Sequence, residues 1–222
     1  MNILAFDTSS TACTVALCVG ERQYSEHQVA PMQQAQLILP MIDTILKKAG
    51  IGLADLNAIA FGVGPGSFTG LRIAASVAQG LGFATQLPLV PLSSLAILAA
   101  TASEKLSASQ FLIAIDAHIQ KVYWAVYGQS QGGNVQLIGE ECLLTPEAIN
   151  LASMADNAIG LGDGWDKYQT IIQAHNQVLP LAYPDLKPNA KVMLAMAIDA
   201  LAKDAMITAA EVVPVYLAKP QL

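Results

Sequence analysis

Three short stretches hold the residues best placed to do chemistry. The first is Gly62-Val63-Gly64-Pro65-Gly66-Ser67-Phe68-Thr69-Gly70-Leu71-Arg72. Its glycines admit positive φ and close approach of the backbone to a neighbour. Ser67 or Thr69 can accept from the orphan N–H groups of the helix that follows. A strand, a glycine turn and a helix present a helix N-terminus to an anion; the same order also packs a helix tightly on a sheet. Spacing excludes the familiar phosphate loops. A P-loop needs a lysine after its last glycine, and no lysine lies between Lys48 and Lys105. The run Gly64-x-Gly66-x-x-x-Gly70 does not match the dinucleotide fingerprint. Pro65 stands where a nucleophile elbow around Ser67 needs glycine. A turn with close helix packing is the simpler reading.

The other two stretches are Asp7-Thr8-Ser9-Ser10 and Asp116-Ala117-His118-Ile119-Gln120. Asp7 could align a metal-bound phosphate; more simply, a turn carboxylate accepts from neighbouring N–H groups. Asp116 reads the same way. Trp165 and Tyr168 stack a base or fill core, and core is simpler. Cys13, Cys18 and Cys142 lack metal spacing, and His27, His118 and His175 are far apart. Neither a metal nor another cofactor is expected.

The elements that position these residues follow from the apolar pattern. Ile3–Phe6, Thr14–Val19 and Gln23–Val29 read as three strands, and a helix runs from Pro31 to about Lys48, stopped by Gly50. Leu56–Phe61 is a buried strand, followed by the glycine turn and a second helix. Ser93-Ser94 caps a third helix to about Ser103. Then the pattern restarts. Leu112-Ile113-Ala114-Ile115-Asp116 lies on Ile3-Leu4-Ala5-Phe6-Asp7 at an offset of 109, which also lays Ala125 on Ala16. Ala158–Gly164 lies on Ala58–Gly64 at an offset of 100. Asn134–Glu140 supplies a strand, Thr145-Pro146-Glu147 a helix start, and Trp165–Ala174 and Asn189–Lys203 two further helices. A duplicated β-β-β-α-β-α unit gives an α/β fold with mixed sheets flanked by helices. The division is expected at 1–105 and 106–222, with the C-terminal segment able to pack back on the first subdomain.

The chain has 222 residues, 54% hydrophobic and 13% charged, with a net charge of −6. Phosphate contacts need Lys and Arg, so this chain is not expected to hold nucleic acid by itself. From Leu56 to Ser103 the only charge is Arg72. Both early helices are apolar on more than one face, and a surplus of apolar surface marks a partner interface. The charge-free run Ile73–Leu92 is broken by Gly80, Gly82, Pro88 and Pro91, so no membrane span is expected. Met1-Asn2-Ile3-Leu4 shows no signal peptide, and a cytoplasmic location is expected.

The duplicated unit, with Asp in its first hairpin turn, resembles the actin-like ATPase and sugar kinase superfamily (the ASKHA fold). Ile3–Ser9, Gly64–Arg72, Ile115-Asp116 with Val122-Tyr123, and Pro214-Val215-Tyr216-Leu217 narrow the resemblance to the TsaB (YeaZ) family. The resemblance implies a pseudo-enzyme without catalytic residues, working in bacterial tRNA threonylcarbamoyladenosine synthesis. Its implied partners are a catalytic paralogue, TsaD, and an ATPase, TsaE; tRNA is met only through the complex. It implies a heterodimer, or a homodimer when the chain is alone, through the first two helices. The candidate interface residues are Leu37, Ile38, Met41, Ile45, Arg72, Ala75, Ser76, Gln79 and Phe83. Asp7, Thr8, Ser9 and Asp116 would be vestigial phosphate turns. The first helix offers Gln33, Gln34 and Gln36 where a catalytic relative would need metal-holding histidines. Two alternatives stay open. One is a nucleotide-binding small-molecule kinase or ATPase using Asp7 and Asp116. The other is a glycoprotease-like peptidase, for which the chain lacks both a metal pair and a nucleophile–base spacing.

Overall fold

The computed structural model describes residues 1–130 and 134–217. They form two compact units. The first comprises Met1–Ile97 and Pro188–Val215; the second comprises the described residues of Leu98–Lys187 together with Tyr216 and Leu217.

In the first unit, β1 (Asn2–Asp7), β2 (Ala12–Val19) and β3 (Arg22–Val29) form an antiparallel meander. Helix α1 (Gln34–Ala49) leads to β4 (Ala58–Gly64), which pairs parallel with β1; α2 (Phe68–Thr85) leads to β5 (Leu89–Ser93), parallel to β4. The sheet order is β3-β2-β1-β4-β5. Helix α3 (Ser94–Ser103) carries the chain from one unit into the next. The second unit repeats the plan with β6 (Gln110–Asp116), β7 (Val122–Gln129), β8 (Val135–Leu144), β9 (Ile159–Leu161), α4 (Gly164–Lys167), α5 (Gln169–His175) and β10 (Leu181–Tyr183). Its order is β8-β7-β6-β9-β10, with the same pairing directions, so the duplication is visible strand by strand.

The second copy is abbreviated. Thr145-Pro146-Glu147 starts only a 3₁₀ turn, Pro146–Ala148, and the helix expected over Trp165–Ala174 is broken at Tyr168. The hairpin also differs. Asp7 faces Thr14, whereas Asp116 faces Val122, one residue sooner. Ala125 therefore lies opposite Ile113, in the position that Leu17 takes opposite Leu4, and not in that of Ala16.

Strand β2 is buried along nearly its whole length because α1 covers one face of the first sheet and α6 (Ala190–Leu201) the other. That double cover explains why the strand reads as a continuous apolar run rather than an alternating one. Asn189 caps α6, and the Ala190 N–H donates to Thr14 Oγ1 at 2.9 Å, tying the helix start to β2. In α1, Ile38, Met41, Ile42, Ile45 and Leu46 make one buried stripe at helical spacing. Gly50 ends the helix in the left-handed conformation. No helix among the described residues is long and apolar enough to cross a membrane. Met193, fully buried on α6, tests that cover: Met193→Ala is expected to lose about 2–5 kcal/mol of unfolding free energy in urea titration.

Candidate functional site

Asp7 ends β1 and is fully buried. Its Oδ1 accepts from the Ser9 N–H at 3.0 Å and from Ser9 Oγ at 2.8 Å, and its Oδ2 accepts from Ser94 Oγ at 3.4 Å. Burial pushes the carboxyl above its ordinary value, and the Ser9 and Ser94 hydrogen bonds offset only part of that. Cys13 sits nearby, and burial together with the Asp7 charge pushes its thiol up to about 12.

The glycine stretch closes over this turn. Thr8 Oγ1 donates to the Gly70 carbonyl at 2.7 Å, and the Ser67 N–H donates to the Ser9 carbonyl at 2.8 Å. A Cβ on Gly62 would stand 1.8 Å from Asp7 Oδ2, one on Gly70 1.9 Å from the Thr8 carbonyl, and one on Gly66 2.6 Å from the Ser9 carbonyl. The glycines are therefore there for contact with the hairpin. Ser67 caps α2 by accepting from Gly70 N–H at 3.4 Å. Gln34 is buried and donates from Nε2 to the Ser10 carbonyl at 2.7 Å. Sequence reasoning missed Ser94 and Gln34 as partners of this turn. Their only signal was a short polar side chain at a helix start and a glutamine in the polar stretch ahead of the apolar run of α1.

The second turn is closed by charge. Asp116 accepts from Lys167 Nζ, from Tyr168 OH at 2.8 Å and from the His118 N–H at 3.1 Å, and His118 Nδ1 lies 2.9 Å away. Burial raises its carboxyl, but these contacts outweigh it and hold the group below the ordinary carboxylate value. The Asp116 N–H donates to Asp163 Oδ1 at 2.9 Å, and the Ala117 N–H to the Lys121 carbonyl at 2.9 Å. Trp165 and Tyr168 are core residues, Trp165 Nε1 donating to the Leu112 carbonyl at 2.9 Å.

A nucleotide phosphate needs donors, and several in these turns are already committed. In the first, Ser9 N–H and Oγ serve Asp7, and Thr8 Oγ1 serves Gly70. In the second, three successive N–H groups donate within the chain. In both turns these donors serve the fold. Among the described residues, no group of three or more His, Cys, Asp or Glu side chains converges on a metal position.

The expected partner face divides. Ile38, Met41, Ile45 and Ala75 turn inward, at 1%, 6%, 0% and 9% exposure, because the apolar stripe of α1 and the small-residue stripe of α2 are needed by their own sheet. Leu37 is half-buried, while Arg72, Ser76, Gln79 and Phe83 are exposed. Leu39 and Phe68, absent from the expected set, are exposed at 53% and 57%. They line a groove of about 460 Å³ between the two helices, with Ile38, Arg72, Ile73 and Ser76. Helical phase separates the two sets, and the apolar content of α1 alone does not reveal it.

The twin sheets of matching strand order and the internally bonded turns define a duplicated α/β protein. A family model described as "TsaD: tRNA N6-adenosine threonylcarbamoyltransferase" matches residues 27–221. The tRNA threonylcarbamoyladenosine biosynthesis protein TsaB of Escherichia coli (strain K12) is 36% identical over 219 residues, 98% of this chain and 94% of that protein. Its namesake in Haemophilus influenzae (strain ATCC 51907 / DSM 11121 / KW20 / Rd) is 36% identical over 225 residues, 98% and 93% of the two chains. A solved structure, YeaZ from Pseudomonas aeruginosa, superposes with a TM-score of 0.90 at 41% identity, covering 97% of this chain and 99% of that one. The chain belongs to the TsaB (YeaZ) family.

Two outcomes check the closed first turn. Gly70→Ala forces a methyl into the Thr8 carbonyl and is expected to cost at least about 2 kcal/mol in chemical denaturation. Asp7 binds its proton more tightly folded than unfolded. Its contribution to stability is therefore greatest below the ordinary value of 3.8 and falls as pH rises through the folded pKa. Asp7→Asn, which keeps an acceptor for Ser9, is expected to gain in melting temperature over the parent as pH goes from about 4 to about 8. A constant gap would show that Asp7 does not titrate with folding in that window.

Proposed function

We propose that this chain is a cytoplasmic, non-catalytic partner subunit in the synthesis of threonylcarbamoyladenosine in tRNA. It docks a catalytic TsaD-like paralogue, works with a TsaE-like ATPase, and meets tRNA only through that complex. The observation that carries the reading is the exposed apolar groove between α1 and α2, beside turns whose donors are spent internally. Large apolar side chains left in water on adjacent helices favour a protein neighbour. A standard interface removes roughly 800 Å² per partner, within reach of two helix faces. The chain's net charge of −6 favours leaving the nucleic acid to the partner. The same face supports self-pairing when the chain is alone.

Ser76 lines the groove and is exposed, so Ser76→Glu leaves the core untouched while placing a charge in the docking face. Co-elution with the TsaD-like paralogue is expected to be lost on size exclusion while circular dichroism is unchanged. The modified nucleoside in tRNA is expected to fall when this variant replaces the parent in the cell. Undiminished pairing would overturn the reading.

A further inference from the structure

The groove between α1 and α2 carries one charge. Arg72 is exposed, its guanidinium carbon 3.9 Å above the centre of the Phe68 ring. Among the described residues, none of the ion pairs involves it, and no carboxylate lines the groove. Stacking on an aromatic face fixes the plane of a guanidinium and leaves its edge N–H donors open. A fork held in this way suits a carboxylate approached end-on.

We infer that Arg72 selects the occupant of this groove: an apolar partner helix that brings an aspartate or glutamate to the guanidinium. The inference rests on the docking face proposed above and adds the chemistry of what docks. Charge complementarity argues for a paralogous partner over a second copy. The acid on this side of α1 is Asp43, one turn beyond Leu39, and it is already tied to Lys47 at 2.7 Å. A second copy would thus offer Arg72 an acid whose charge is balanced by its own lysine. A partner with an unpaired carboxylate at that point gains a charge-assisted pair that the self-complex lacks. Arg72 thereby biases the chain towards a different polypeptide, and self-pairing is what remains when none is present.

The test uses the full chain and the TsaD-like paralogue, with affinities measured by calorimetry and self-association by sedimentation equilibrium. Arg72→Leu and Arg72→Glu are expected to weaken the heterologous complex at least about 30-fold. Self-association should stay within about threefold for Arg72→Leu. Arg72→Lys keeps the charge but not the fork, and is expected to lie between parent and Arg72→Leu. The parent heterologous complex should weaken with added salt more steeply than that of Arg72→Leu. Heterologous affinity within about threefold of the parent in both Arg72→Leu and Arg72→Glu, with Ser76→Glu still disruptive, would overturn the role of Arg72 and leave the docking face standing. Pairing that survives Ser76→Glu would remove the face itself.

Discussion

The first unit depends on the contact between the Asp7–Ser9 turn and the Gly62–Gly70 stretch. Carbonyl oxygens of the hairpin sit where β-carbons of the glycines would be. That approach brings Thr8 Oγ1 onto the Gly70 carbonyl and Ser67 N–H onto the Ser9 carbonyl, so a helix start and a strand end share their hydrogen bonds. Unpaired buried polar groups are costly, and here each turn satisfies the other. Among the described residues no cation pairs with the carboxylate at the centre; hydroxyl and amide donors hold it. It is a buried acid tolerated for its geometry, with its proton affinity raised as a consequence.

The duplicated turn solves the same problem by another route. Asp116 stands at the matching position but is held by Lys167, Tyr168 and His118. The two carboxyls shift in opposite directions. The Asp116 contribution is present above the ordinary carboxylate value and fades as pH falls through the depressed folded value, opposite in sign to that of Asp7. One duplicated turn is closed by hydroxyl and amide donors, the other by a lysine, a tyrosine and a histidine. In both, the turn's polar groups serve as internal fasteners.

Much of this was legible in the chain itself. The Asp-bearing hairpins, the glycine stretch and their recurrence at a near-constant offset gave the twin sheets, because strand, turn and glycine signals are local. Helical phase was not legible for α1, where apolar residues occupy more than one face; only contact with β2 separates Ile38 and Ile45, turned inward, from Leu39, turned outward. The one-residue shortening of the second hairpin was hidden because alanines and aliphatic residues match at either register. The 3₁₀ turn at Pro146–Ala148 carried the start signals of a helix, but helix length depends on what it can bury. Arg72 was conspicuous from its isolation in an apolar stretch, whereas its stacking on Phe68 required coordinates.

The docking of α6 bears on how the protein is made. Thr14 and the helix start it holds are 176 positions apart. During synthesis, this sheet emerges from the ribosome with one greasy side uncovered, and its natural lid is translated long after it. Contacts of such long sequence separation close slowly. The nascent chain therefore leaves one face of β1 and β2 open until α6 has been made, a state in which exposed strands are prone to aggregate.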